Sequence, residues 1–278
     1  MRMPRVSAVV CIAAIILISL YSAFIIDGVI VSNAPPTVVF TLGTTYRDVT
    51  YYNSQTMDIY IPNEAVTRPI PLAIFVHGGG LSSGGKADIN PVFLNALASA
   101  GYAVASVNYR LAPQYKFPAQ IEDLKCAIRY LRSNAQTYGV NGSEIFIFGD
   151  SAGGELAAIA ALTGPHSEFD VGPYLNESSN VTSAVDMFGP ANLTSWASYS
   201  DTQRVFGGNQ NNLVLASPTH YVTTNSPPIL IIQGVKTRRF PSRSQFSSMT
   251  SLPQLGTKPN SSWSRIWDTC SCRWVLTQ

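Results

Sequence analysis

Gly149-Asp150-Ser151-Ala152-Gly153 sets a serine hydroxyl among small residues. Before it comes Glu144-Ile145-Phe146-Ile147-Phe148, which reads as a strand, and after it Glu155-Leu156-Ala157-Ala158 opens a helix. G-x-S-x-G in a strand, sharp turn and helix context is the signature of a nucleophile elbow. Small neighbours are needed because the strained turn admits no bulk, and the helix N-terminus favours developing negative charge. The chemistry on offer is attack by a hydroxyl on an electrophilic carbon. A glycine-rich turn with a capping serine is the bland reading of the same residues. A second run separates the two. Residues 72–76 lead into His77-Gly78-Gly79-Gly80, 74 residues before Ser151. Glycines at a strand end let bare backbone N–H groups approach an anion. A tetrahedral oxyanion takes two or three such donors, and Gly79, Gly80 and Ala152 can supply them. Ser82, Ser83, Gly84 and Gly85 continue the run and alone would suggest a flexible loop. With the elbow downstream, the two runs point to one site.

Both runs need a sheet to hold them. Short β-branched stretches at 46–52, 57–61, 72–76, 103–109, 144–148, 183–188 and 229–232 read as strands. Helices are expected at 91–100, 119–138 and 152–162. The second has Ile121, Leu124, Ala127, Ile128 and Leu131 at spacings of three and four, a core-facing stripe. Leu72-Ala73-Ile74-Phe75-Val76 is apolar at every position, as a strand covered on both faces should be. The fold class is therefore α/β, a mainly parallel sheet with helices on both faces.

Composition bounds the rest. A chain of 278 residues with 46% hydrophobic and 12% charged residues can bury one large core, which excludes disordered and fibrous classes. The net charge of +2 is too weak and scattered for a nucleic-acid partner. Cys11, Cys126, Cys270 and Cys272 have neither zinc-knuckle nor disulfide-framework spacing, so no metal site is expected. Residues 1–30 read as a membrane anchor or signal segment: positions 6–26 carry no charge, follow Arg2 and Arg5, and as a helix would span about 31 Å. Tyr21 stands where cleavage wants a small residue, which favours an uncleaved anchor in the bilayer over a cleaved signal. In either case residues after Asp27 are expected outside the cytoplasm. Residues 31–36 are a linker ending in Pro35-Pro36, 37–236 the folded domain and 237–278 an aberrant tail.

The chain resembles the α/β-hydrolases of the esterase and lipase branch, specifically the bacterial carboxylesterases related to hormone-sensitive lipase and the feruloyl or acetyl-xylan esterase-like domains. The matching text is Met57-Asp58-Ile59-Tyr60-Ile61-Pro62, His77 to Gly80, Tyr109-Arg110-Leu111-Ala112-Pro113, Phe117-Pro118-Ala119, Gly149 to Gly154 and Phe188-Gly189-Pro190. The resemblance implies cleavage of a small-molecule carboxylic ester by Ser151 through an acyl-enzyme, with no cofactor. It also implies an acid after the strand at 229–232 and a histidine near the C-terminus. Neither is identifiable. The three histidines are His77, in the glycine motif, His166 and His220, and the acid after the last strand is Asp268. Using any of these histidines breaks the chain order of serine, acid, histidine.

The tail after Lys236 reads as foreign. It holds nine serines, three of the four tryptophans and six basic residues against one acid, without period two or 3.6 over a useful length. A lost base just after Lys236 would account for it. In the shifted frame the Trp267/Asp268 junction must encode Gly, and the Asp268/Thr269 junction Tyr or His, and Gly-His is how the family introduces its catalytic histidine. A sequencing error, a pseudogene and a native divergent tail are the three sources of such a tail. The last strand and helix of the domain are accordingly expected to be missing. Two functions follow: an ester hydrolase impaired by loss of its acid and base, or an inactive extracytoplasmic binding or scaffold protein of the same fold.

Overall fold

The structure is a computed structural model and describes residues 41–63, 68–194, 200–234 and 272–276. The expected anchor, linker and most of the tail, Asp268 included, lie outside the described residues. Among the described residues no helix is long and apolar enough to cross a membrane.

Among the described residues eight strands form one sheet: β1 (Leu42–Tyr52), β2 (Gln55–Pro62), β3 (Ile70–Val76), β4 (Ala103–Val107), β5 (Val140–Asp150), β6 (Ser183–Met187), β7 (Ile229–Gly234) and β8 (Cys272–Leu276), in the order β1-β2-β4-β3-β5-β6-β7-β8. The pairs β4–β3, β3–β5, β5–β6 and β6–β7 are parallel. The pairs β1–β2, β2–β4 and β7–β8 are antiparallel. Parallel pairing requires crossovers, and the helices supply them. These are α1 (Pro91–Ser99), α2 (Ala119–Ser133), α3 (Ala135–Tyr138), α4 (Ala152–Thr163), α5 (Ser200–Phe206) and α6 (Gln210–Leu215).

The period of two in the strands divides the core. Leu72, Ile74 and Val76 of β3 face one side with Ala105, Ile145 and Ile147, where Ile121, Leu124 and Ile128 of α2 and Leu156 and Ile159 of α4 cover them. Ala73 and Phe75 face the other with Val104, Phe146, Phe148 and Val185, beneath Leu94 and Leu97 of α1. The expected stripe of α2 is buried throughout.

Three expectations are corrected. The helix expected over 119–138 breaks at Asn134, whose side-chain amide donates to the Tyr130 carbonyl at 2.9 Å, a local bond that competes with helix continuation. Its second piece, α3, ends on Gly139 in the left-handed region at φ 66°. Helices α5 and α6, seven and six residues long, fall where no element was expected. The tail, expected to leave the sheet without its last strand, contributes β8, which runs antiparallel to β7 from Leu230↔Leu276 to Gly234↔Cys272. An edge strand presents unpaired N–H and C=O groups, and an extended segment without a periodic pattern of its own can satisfy them.

Candidate active site

The parallel strands end on the side where the two motifs meet. β5 runs to Asp150, and Ser151 then sits at φ 52°, ψ −122° as the N-cap of α4. That backbone conformation is rare for a residue with a Cβ and marks a strained turn. Its N–H donates to the Met187 carbonyl at 2.7 Å, fixing the turn to the end of β6, and its carbonyl starts α4 by accepting from Glu155 N–H at 3.1 Å. The side chain is half-buried. The glycines are demanded by contact. A Cβ on Gly149 would lie 2.5 Å from the Val76 carbonyl oxygen, and one on Gly153 would lie 2.1 Å from it and 2.6 Å from that of His77. α4 therefore packs its first turn directly on the end of β3.

The glycine loop leaves β3 at the same place. Gly78 N–H donates to the Asp150 carboxylate, and a Cβ on Gly78 would lie 2.5 Å from Asp150 Oδ2. Burial raises the Asp150 carboxyl above its usual value, against the pull of that N–H. Gly79 and Gly80 have φ of 107° and 61° and are exposed. The Gly79 carbonyl is turned into the loop, accepting from the N–H groups of Ser82 and Ser83, so its plane is fixed by the loop's own bonds. The loop is pinned further on: Lys86 pairs with the buried Asp58 of β2, and its N–H donates to Asn108 Oδ1 at 2.7 Å. Ala152, the third expected donor, is buried at the first position of α4.

His77 is not placed as a base. It is buried and stacked on Tyr109 at 4.1 Å and 7°, and its Nδ1–H donates to the Gly78 carbonyl at 2.7 Å. Burial lowers its affinity for a proton, against the raising effect of that carbonyl. Tyr109 O–H donates to the His77 carbonyl at 2.8 Å, while Arg110 next to it pairs with the buried Asp123 of α2. The Tyr-Arg motif thus holds the histidine and fastens the loop to α2. His166 is exposed beyond the C-terminal end of α4, about 18 Å of helix away from Ser151. His220 is exposed at the end of a 3₁₀ turn and packs on Tyr221. Among the described residues no histidine and no acid is paired as the base and orienting group of Ser151.

Three residues given no role from sequence surround the elbow. Phe188, directly after Met187, is held at φ 64° and stays 45% exposed, with its N–H donating to the Ile232 carbonyl at 2.9 Å. Glu155 and Asp186 are 2% and 1% exposed beneath the turn. The glycines 154 and 189 beside them were the one local signal, since both must be small to pass the Asp186 carboxyl.

Comparison with known proteins agrees with this geometry. The BD-FAE family profile matches residues 57–247. Esterase LipC of Mycobacterium tuberculosis is 30% identical over 192 residues, covering 65% of this chain and 48% of that protein. Carboxylesterase NlhH of the same organism is 36% identical over 143 residues, 49% of this chain and 45% of that protein. A truncated form of a carbohydrate esterase from gut microbiota superposes with a TM-score of 0.63 at 30% identity, covering 76% of this chain and 83% of the other. The chain spans about half the length of the curated relatives it matches. The matched span takes in the glycine loop, the elbow and the parallel strands that carry them, and the chain belongs to the BD-FAE family, with the α/β-hydrolase fold.

Proposed function

We propose that this chain is a serine hydrolase acting on small-molecule carboxylic esters. Ser151 Oγ attacks the carbonyl carbon, and the N–H groups of Gly79, Gly80 and Ala152 receive the charge on the carbonyl oxygen. The alcohol leaves with a proton, and water then attacks the acyl-serine to release the acid and restore the hydroxyl. The observation that carries this reading is the strained φ of 52° at Ser151, held between β5 and α4 while its neighbours Asp150 and Gly153 lie against the glycine loop, because such strain is kept where function requires it. The proton must go to a base, and among the described residues none stands beside Ser151; the acid and base are assigned in this proposal to the reading frame displaced after Lys236. A fluorophosphonate probe followed by peptide mass spectrometry tests the assignment. Labelling of the frame-restored protein at Ser151, abolished by Ser151→Ala, is expected, and labelling at another serine contradicts it.

The absence of a paired base among the described residues favours a second reading for the chain as it stands: a binding or scaffold protein that keeps the pocket without turnover. Residues 6–26 belong to this proposal as a bilayer anchor holding the domain outside the cytoplasm, with secretion as the outcome if the segment is cleaved.

A further inference from the structure

Glu155 lies in the first turn of α4 and Asp186 in β6, each almost wholly buried. Asp186 Oδ1 accepts from Gly189 N–H at 2.8 Å and is so closely approached by α4 and the loop that a Cβ on Gly154 or on Gly189 would lie 2.3 Å from it. A Cβ on Gly189 would also lie 2.5 Å from Glu155 N, so the loop after β6 is wedged between the Asp186 carboxyl and the first turn of α4. Among the described residues, Asp186 Oδ2 and Glu155 Oε1 are buried without a hydrogen-bond partner. No mechanism step above uses either group.

Two negative charges in this place would meet no cation among the described residues, and only the Gly189 N–H would offset them. The ionisable groups around the pair are Tyr109, which Glu155 faces, and beyond it Asp150, Asp88 and the buried His77. From α2, packed against α4, the charged side chains are committed elsewhere: Glu122 and Asp123 to Arg110, Lys125 and Arg129 to Asp170, and Arg132 to the Gly142 and Asn180 carbonyls. The 3₁₀ turn at 218–220, which also packs against α4, carries the exposed His220. β7 brings no charged residue. An unpartnered buried charge costs far more than an unpartnered neutral carboxyl. The Asp186 charge also acts on the Glu155 carboxyl, so ionising both costs more than ionising either alone.

We propose that Glu155 and Asp186 are a proton-holding carboxyl pair that braces the nucleophile turn, uncharged when the turn is correctly packed and loosening it when they ionise. They are positioning residues. Asp186 is the register partner of Gly149, and Met187, the next residue, accepts the Ser151 N–H, so a shift of Asp186 moves the backbone that fixes the serine. Burial raises the Asp186 carboxyl to about 7, against the Gly189 N–H, and raises Glu155 well above its usual value, with the Asp186 charge adding to it. A folded value above the unfolded one means that the folded state binds the proton more tightly. The stabilising contribution is full below the unfolded value of 3.8 for Asp186 and is lost as pH rises to about 7. For Glu155 the loss begins near 4.5 and extends further upward.

The test needs no turnover. Unfolding midpoints of the full chain and of Asp186→Asn, which keeps the acceptor for Gly189, are measured from pH 4 to pH 8, with an infrared spectrum at pH 6. The variant's midpoint is expected to match the parent's within a few degrees at pH 4 and to exceed it by at least about 5 °C at pH 8. A carboxylic-acid C=O band of the parent at pH 6 should be lost in the Glu155→Gln, Asp186→Asn double variant. Glu155→Gln carries the thermal comparison if Asp186→Asn does not fold, and the parent's infrared band decides the matter if neither does. A difference in midpoint that is flat with pH, or no buried acid band at pH 6, overturns the proposal. Neither readout depends on ester cleavage, so failure here is distinct from failure of the function proposed for Ser151.

Discussion

Ser151 pays for its position in backbone energy. Its φ of 52° and ψ of −122° place a residue with a Cβ in a region that costs about 1–3 kcal/mol. Ser151→Gly is therefore expected to raise stability by about 1 kcal/mol in urea denaturation while ending all labelling at that site. A glycine variant that is less stable than the parent would mean that contacts of the hydroxyl outweigh the strain. Gly153 is the opposite case. With the Val76 carbonyl oxygen 2.1 Å from where its Cβ would stand, Gly153→Ala must push β3 and α4 apart and is expected to cost at least about 3 kcal/mol. An unchanged urea midpoint would contradict the packing described here. These residues were legible in the sequence because a serine between small residues after a strand is a local pattern. Glu155 and Asp186 were not, because their burial is created only when α4 lies across β6.

The elements follow the same division. β3 and α2 could be read from runs and spacings, since a fully apolar strand and a three-four stripe report their own burial. The break at Asn134 could not, because it rests on one side-chain bond, and β8 could not, because a bare β7 edge accepts strands that carry no period of their own. α2 also carries two residues that its stripe does not explain. Lys125 and Arg129 are fully buried and meet Asp170 from the loop after α4, with Lys125 Nζ 3.2 Å from Asp170 Oδ2. Removing one partner of a buried cluster strands the others, so Asp170→Ala is expected to cost about 3–5 kcal/mol. Burial alone would raise the Asp170 carboxyl, but the Ser179 hydroxyl and the Lys125 charge bring it below its usual value. Its contribution is thus present above the unfolded value of 3.8 and lost as pH falls below it. Denaturation of Asp170→Ala and parent at pH 3 and pH 6 checks this. The gap between them should narrow at pH 3, and a constant gap would show that the cluster is not the source of the acid sensitivity.

At the scale of the whole molecule, charge divides near Lys236. The tail carries six basic residues against one acid, whereas the rest of the chain is net negative. β8 is its described contribution to the sheet, and it covers the β7 edge by backbone pairing. Deleting residues 272–278 is expected to leave that edge open and to raise the aggregated fraction over the parent's in size-exclusion chromatography; an unchanged elution profile would show that β8 is not what keeps the edge covered. At the other end, residues 6–26 are expected to carry the protein into the membrane fraction, and a soluble mature form beginning near Phe24 would show cleavage instead.

The most direct measurement is the initial rate of hydrolysis of a short-chain aryl ester by three proteins side by side: this chain, the chain with the frame restored after Lys236, and the restored chain carrying Ser151→Ala. A serine without its base loses most of its catalytic power, so the restored chain is expected to exceed both others by at least about 10⁴-fold. Equal rates for this chain and the restored one would contradict the account, as would undiminished turnover by the alanine variant.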